Sequence, residues 1–173
     1  MHTIHQIATQ ADSKEEAHAR VKDYLERQLG DTDNTPNNQW FDWFVVGGGR
    51  WSTSDDPYDD NYSADVVHSS DIKFFQNIAQ AMTWREEELQ RHVTAAKEIN
   101  LSELLSQLGQ VDNFKIGHQL YDVKKIYDIT MGDWTFNSYF FDMINDSTTD
   151  KYMQESLDKG DKTWYAVPVD FHF

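Results

Sequence analysis

The sequence predicts an α+β fold in which a small mixed or antiparallel sheet of about four strands is covered by helices. Residues 3–9 and 161–173 show the alternation of apolar and polar side chains that is typical of strands. Residues 14–29 instead carry apolar side chains at helical spacing. A chain of 173 residues is expected to form a single α+β domain over 1–173, in which an acidic loop is inserted and 71–109 is a candidate helical insertion.

The first half of the chain begins with a strand at 3–9, followed by a helix over 14–29. Ser13-x-x-Glu16 is a capping-box pattern, and Gly30 stands where a glycine commonly ends a helix. The next strand is predicted over 40–46, because apolar, aromatic and β-branched residues dominate it. These features give a helix that covers one side of a sheet.

A long acidic loop follows, over 52–70, and the chain then becomes helical over 71–109. The segments Thr83-x-x-Glu86 and Asn100-x-x-Glu103 each have the pattern of a helix start. The helical region is therefore expected to be a bent hairpin of shorter helices.

The last third of the chain is predicted to alternate between strands and short helices. We expect a strand over 121–130, short helices over 138–144 and 149–157, and a final strand over 161–173. Because proline cannot donate a ladder hydrogen bond, Pro168 predicts an edge strand or a bulge there.

Negative charge is the strongest compositional feature: 30 acidic and 15 basic residues give a formal charge of −15. Residues 31–71 contain nine aspartates and a single basic residue, Arg50. Such a field repels nucleic acids and anionic membranes and attracts basic protein surfaces. The negative charge either keeps the protein soluble or imitates a phosphate backbone for a partner. The candidate partner-binding residues are Asp55, Asp56, Asp59, Asp60 and Asp65.

Several classes of site and location are not expected. Without cysteine the chain has no disulfide or thiolate site, and the acidic loop lacks the spacing of an EF-hand. His2 and His5 alone form a weak metal pattern, so neither a metal nor a cofactor is predicted. The chain has no apolar run of membrane-spanning length and no secretory pattern at its start, which favours the cytoplasm.

The densest motif is W-F-D-W-F-V-V-G-G-G-R-W, from Trp40 to Trp51. The motif predicts a buried strand that ends in a tight glycine turn, and this turn places Arg50 and Trp51 in a fixed position. The turn lacks the spacing of known phosphate-binding loops. Candidate residues for a ligand site are Asp42, Trp43, Gly48, Arg50 and Trp51.

The final strand supplies the most enzyme-like pair, Asp170 and His172. Period two places both on one face, where the carboxylate can orient the imidazole. An enzyme would use Asp170, His172 and Arg50 as its catalytic candidates. The alternative, which the residue types favour, is a structural salt bridge from Arg50 to Asp170 or Asp42.

Three segments resemble a family of small uncharacterised proteins from bacteriophages and bacterial genomes. Asp42–Trp51 is similar to its W-D-W-[YF]-x-[IV]-G-G-R-W signature, although one extra glycine is present. Ile129–Trp134 is similar to its T-P-D-G-x-W turn, and Asp161–Phe173 to its V-D-x-H ending. The resemblance implies an α+β fold and a phage or bacterial origin, and it implies no established activity.

Two functions have support in the sequence, and a third, a structural or assembly protein of a virion, stays open although no particular feature favours it. The first is a phage accessory protein that binds and inhibits a host defence or nucleic-acid-handling protein in the host bacterial cytoplasm, through an acidic and DNA-mimicking surface. The second is a small-molecule or nucleotide-binding domain, or an enzyme, that uses the glycine turn with Arg50, Asp170 and His172. The absence of a nucleophile motif favours a non-enzymatic protein, and the sequence does not predict its oligomeric state.

Overall fold

The computed structural model contains an α+β fold, as the sequence predicts. It describes residues 1–29, 40–56, 58–59, 62–100, 102–103, 106, 117 and 120–173. The elements in chain order are β1 (His2–Gln10), α1 (Lys14–Leu29), β2 (Trp43–Val46), a 3₁₀ turn (Gly49–Trp51), β3 (Val67–His68), α2 (Ile72–Ala96), α3 (Tyr121–Met131), β4 (Phe140–Asp142), α4 (Lys151–Asp158) and β5 (Trp164–His172). No helix in these ranges is long and apolar enough to cross a membrane.

The sheet is mixed and has five strands in the described chain, with the order β2-β5-β1-β4 and with β3 paired to β5. β1 and β5 pair antiparallel along their whole length, from His2 opposite His172 to Gln10 opposite Trp164. β4 joins the other side of β1 in parallel. β5 is therefore a central strand, with β1 on one side and β2 followed by β3 on the other.

Pro168 lies inside this central strand, so the expectation of an edge strand is wrong. Its missing N–H falls between β2, which ends at Val46, and β3, which begins to pair at Ala166. Only its carbonyl is used on that side, accepting from Gly47 N–H at 2.8 Å. The proline thus occupies the gap where one neighbouring strand replaces another.

Each face of the sheet has its own apolar core. Odd-numbered residues of β5 pack with α1, and even-numbered residues pack with α2 and α4. The α1 side includes Ile7, Val21, Leu25, Phe41, Phe141, Val167 and Phe171. The α2 side includes Ala8, Phe74, Ile78, Met153, Trp164 and Ala166. Because both faces are covered, polar side chains of β5 are buried as well.

The predicted start of α1 is confirmed in atomic detail. Ser13 Oγ accepts from Glu16 N–H at 3.1 Å, and Glu16 Oε2 accepts from Asp12 N–H at 2.7 Å. These bonds satisfy donors that a helix start otherwise leaves without partners. The helix predicted near 149–157 is also present, as α4.

The strand predicted over 121–130 is wrong, because this segment is the helix α3. Lys124 and Asp128 form an ion pair of 2.7 Å one turn apart, a contact that a helix allows and an extended strand does not. Gly132, with a φ of 82°, ends the helix in the left-handed conformation. Gly132, which lies in the segment that resembles the family's T-P-D-G-x-W turn, is therefore a helix cap.

The short helix predicted over 138–144 is also wrong, since Phe140–Asp142 form β4. Pairing with β1 decides its conformation, from Gln6 opposite Phe140 to Ala8 opposite Asp142. A three-residue strand is too short to show a period in the sequence.

The helical region over 71–109 differs from the expected bent hairpin at Thr83. α2 continues through this position, and Thr83 Oγ1 donates back to Ala79 O at 2.9 Å. The predicted cap at Asn100 is formed, because Glu103 N–H donates to Asn100 Oδ1 at 3.1 Å. Most of the short helix expected after it, over 101–109, lies outside the described residues. α2 packs against α3 instead, and His92 Nδ1 donates to Asp122 Oδ1 at 2.7 Å.

Candidate functional site

The glycine turn follows β2 and brings the chain back over β5. Gly47, Gly48 and Gly49 all have positive φ angles, of 98°, 99° and 50°. A Cβ on Gly47 would lie 2.2 Å from Tyr62 O, and one on Gly49 would lie 2.4 Å from Asp170 Cβ. The turn therefore requires glycine both for its backbone conformation and for its close contact with β5.

Asp170 is the buried polar centre of this site, with only 1% of its surface exposed. Its Oδ2 accepts from the backbone N–H of Arg50 at 3.2 Å, and its Oδ1 accepts from His2 Nδ1 at 2.9 Å. Since a carboxylate only accepts hydrogen bonds, His2 carries its proton on Nδ1 in this contact. The predicted pair of Asp170 with His172 is not formed.

The salt bridge expected from Arg50 to Asp170 or Asp42 is wrong. Arg50 reaches Asp170 through its backbone, and its exposed guanidinium forms no ion pair within the described residues. Both carboxylates bind histidines instead.

His172 pairs with Asp42, its Nδ1 donating to Oδ1 at 2.6 Å. This hydrogen bond from His172 is the main reason that the pKa of Asp42 lies below its ordinary value. The His172 ring stacks on Trp43 with 5.0 Å between centroids, and it lies edge-on to His2, also at 5.0 Å. Two histidine–aspartate pairs thus stand side by side at one end of the sheet.

A groove runs beside this end of the sheet, between the residues that follow the glycine turn and α2. It has a larger lobe of about 530 Å³ and a smaller lobe of about 290 Å³. Ile4, Trp51 and Trp84 line both lobes. The larger lobe adds Gln6, Lys14, Asp65, Asp71, Lys73 and Pro168, among others. The smaller lobe adds His2, Thr3, Glu87, Glu88 and Tyr139.

Gln6, one of the residues that line the larger lobe, carries a buried polar atom. The residue is only 9% exposed, yet its side-chain Oε1 has no hydrogen-bond partner among the described residues. Leaving a buried acceptor without a donor is costly, so native proteins rarely do it without a reason. A ligand that donates a hydrogen bond would satisfy this oxygen.

The smaller lobe is acidic and aromatic. Trp51 is 49% exposed and Glu87 is also exposed, whereas Glu88 is tied to Arg91 by an ion pair of 2.5 Å. Burial, followed by the charge of Glu88, raises the pKa of Tyr139 to about 12, so this phenol stays neutral. The positive φ of Tyr139, 56°, is a strained conformation of the kind that functional sites often hold.

The predicted partner-binding aspartates have different roles in the loop. Asp65 Oδ2 accepts from Thr53 N–H at 2.6 Å, and its Oδ1 accepts from Thr53 Oγ1 at 2.8 Å. Asp56 accepts from Tyr58 N–H at 2.9 Å. Both carboxylates therefore hold the loop.

Asp55, Asp56 and Asp59 are exposed, and Asp60 lies outside the described residues.

No family model matches the chain, and no curated protein or solved structure is similar to it. Within the described ranges, no group of three or more histidine and carboxylate side chains is arranged to hold a metal ion. The interpretation of the groove therefore depends on its own geometry and charge.

Sequence reasoning identified seven members of this region: Asp42, Trp43, Gly48, Arg50, Trp51, Asp170 and His172. It missed His2, Gln6, Trp84 and Glu87, which β1 and α2 supply. The alternation in β1 that puts His2, Ile4 and Gln6 on one face was available as a signal. The register with β5, which sets His2 opposite His172, could not be predicted from the sequence.

Proposed function

We propose that the protein binds the basic surface of another protein, and that the groove and its acidic rim form the contact. The observation that carries the proposal is the placement of Trp51 and Trp84 beside Glu87 in one groove. Aromatic faces and carboxylates both attract cations, and they do so more strongly when water is excluded. A net charge of −15 adds a long-range field that steers basic partners toward the protein.

The acidity and the resemblance to phage proteins together support a more specific proposal. In it, the protein is a phage accessory factor in the bacterial cytoplasm, and its partner is a host defence or nucleic-acid-handling protein. Such a partner has basic groups that normally bind phosphates, and an acidic surface inhibits it by occupying them. Asp55, on the exposed loop, and Glu87, on the groove rim, are the carboxylates that we assign to this contact.

The proposal is tested by affinity capture from bacterial lysate at low and high salt, with duplex DNA as a competitor. The double variant Asp55→Asn/Glu87→Gln is expected to lose most of a salt-sensitive, DNA-displaced partner. The matched control Glu15→Gln/Glu26→Gln removes the same charge from exposed positions on α1 and is expected to retain that partner. Equal losses in both variants, or no salt-sensitive partner at all, would refute the proposal.

A second candidate function is favoured by one observation, the His2–Asp170 pair at the smaller lobe. The Nδ1 atom of His2 is bound to the Asp170 carboxylate, and its Nε2 atom forms no hydrogen bond within the described residues. This is the arrangement of a general base. We propose it as the alternative, a ligand-binding domain or enzyme. A thermal-shift screen with nucleotides and sugars tests it, and a stabilising compound should lose its effect in Trp51→Leu.

A further inference from the structure

The groove has hydrogen-bond acceptors and aromatic faces on both sides of the place where its two lobes meet, which we call the junction. Ile4, Trp51 and Trp84 line both lobes, so the junction lies between Gln6 in the larger lobe and Glu87 in the smaller one. The two residues come from different elements, β1 and α2. An occupant at the junction is therefore met by a neutral acceptor on one side and a carboxylate on the other.

The charges of the two lobes decide what kind of occupant fits. The larger lobe has two lysines, Lys14 and Lys73, but two aspartates, Asp65 and Asp71, balance them in formal charge. The smaller lobe is lined by carboxylates, and the described residues that line it include no lysine or arginine. The net field therefore favours a cation that enters from the smaller lobe.

We propose that this junction is the site for an arginine side chain of the basic partner. The inference rests on the proposed function, because it names the group of the partner that the groove receives. A guanidinium has five N–H donors and no acceptor, and its flat faces stack on tryptophan. It donates to Gln6 Oε1 and to the Glu87 carboxylate while its faces contact Trp51 and Trp84.

Arginine fits this site better than lysine for two reasons. A planar fork donates in two directions at once, whereas an ammonium is a compact point charge that holds its water strongly. The buried Oε1 of Gln6 also lacks the charge that would compensate the desolvation of an ammonium. The unpartnered glutamine is therefore explained by a donor that arrives with the partner.

The test uses three capped tripeptides, acetyl-Gly-X-Gly-amide with arginine, lysine or citrulline as X. Citrulline has nearly the shape of arginine but is neutral. Binding is followed by NMR through the indole N–H signals of Trp51 and Trp84. We expect the arginine peptide to shift both signals with a Kd on the order of 1 mM. The lysine peptide should bind at least about fivefold more weakly, and the citrulline peptide should cause no saturable shift.

Variants locate the binding in the groove. Trp51→Leu and Glu87→Gln alter exposed side chains, so both proteins should fold, and each is expected to weaken arginine binding by about threefold or more. Gln6→Leu removes the buried acceptor and should weaken arginine more than lysine. Tyr58→Leu is the matched control, because Tyr58 is 61% exposed and is not among the groove residues.

Each outcome has a definite meaning. Equal binding of arginine and lysine, or arginine binding that survives Trp51→Leu, would overturn the inference. If captured partners still depend on Asp55 and Glu87, the proposed function stands although the arginine site falls. If instead the arginine peptide binds as expected but no salt-sensitive partner exists, the arginine site stands and the proposed function falls.

Discussion

Acidification is expected to destabilise the protein through His5, a histidine that the fold buries completely. His5 is 0% exposed, and burial lowers its pKa from 6.5 to about 3. Trp134 Nε1–H, which only donates, lies 3.2 Å from His5 Nδ1, and Phe136 O, which only accepts, lies 3.3 Å from Nε2. These partners fix a neutral ring with its proton on Nε2, stacked on Trp40 at 4.9 Å.

The size of the effect follows from the two pKa values of His5. A histidine with a lower pKa in the folded state binds fewer protons there than in the unfolded chain between pH 6.5 and 3. Its contribution is therefore fully present above pH 6.5 and is lost as the pH falls through this window. From 6.5 and about 3, the free energy of unfolding should fall by about 2 kcal/mol between pH 8 and pH 5.

Carboxyl groups with altered pKa values contribute to the pH dependence of stability either below this pH window or with the opposite sign. Hydrogen bonds lower the pKa of Glu16 below its ordinary value of 4.5, and those of Asp42 and Asp161 below 3.8. The stabilising contributions of these three groups are therefore lost only at lower pH. Burial raises the pKa of Asp142, whose contribution has the opposite sign and declines as the pH rises. A comparison with variants that lack His5 cancels all four groups.

The assay is urea unfolding at pH 8, 6 and 5, followed by tryptophan fluorescence and far-UV circular dichroism. His5→Gln retains one donor and one acceptor, whereas His5→Phe retains the ring but leaves both partners unsatisfied. The two variants are expected to differ in stability at pH 8. Both should nevertheless lose about 2 kcal/mol less than the native protein between pH 8 and pH 5. An identical decline in the native protein and both variants would refute the reasoning.

Three further predictions concern the glycine turn and the acidic loop. Gly49→Ala should lower the free energy of unfolding by about 2–4 kcal/mol, because its φ is +50° and its Cβ would lie 2.4 Å from that of Asp170. Gly160→Ala, at a φ of +91° in open space, measures the backbone cost alone, about 1–2 kcal/mol, and an equal loss in the two variants would contradict the steric argument. Asp170→Asn offers one acceptor oxygen to two donors and should cost about 1–3 kcal/mol in the same urea titrations, so unchanged stability would count against its role. Asp65→Asn should speed hydrogen exchange of the loop amide that donates to its carboxylate, whereas Asp55→Asn should leave that rate unchanged.

The parts of the fold that the sequence predicts are those with long, regular patterns. β1, α1 and β5 each extend over nine residues or more, and their periods identify them. The eleven residues of α3 suit a strand as well as a helix, and the packing of this segment against α2 is a tertiary contact that no spacing within the segment shows. β4, with three residues, acquires its conformation only from pairing with β1.

The candidate site could be predicted only in part, for a related reason. Asp170 and His172 share a face, as period two requires, but each finds its partner on a different neighbouring element. Those partners depend on the order β2-β5-β1, which places β5 between His2 and Asp42. Strand order is a property of the whole fold, so no spacing within one motif reveals it.

The glycine motif and the groove are linked through one buried carboxylate. Asp170 lies inside a sheet that is covered on both faces, so its charge requires donors from the protein itself. The turn provides one, because a glycine at 49 lets the Arg50 N–H approach, and His2 provides the other. The residue after Arg50 is Trp51, so the bond that satisfies Asp170 also fixes the tryptophan that lines both lobes. The Asp170→Asn variant should therefore bind arginine more weakly in the groove and be less stable, although Asp170 itself lines neither lobe.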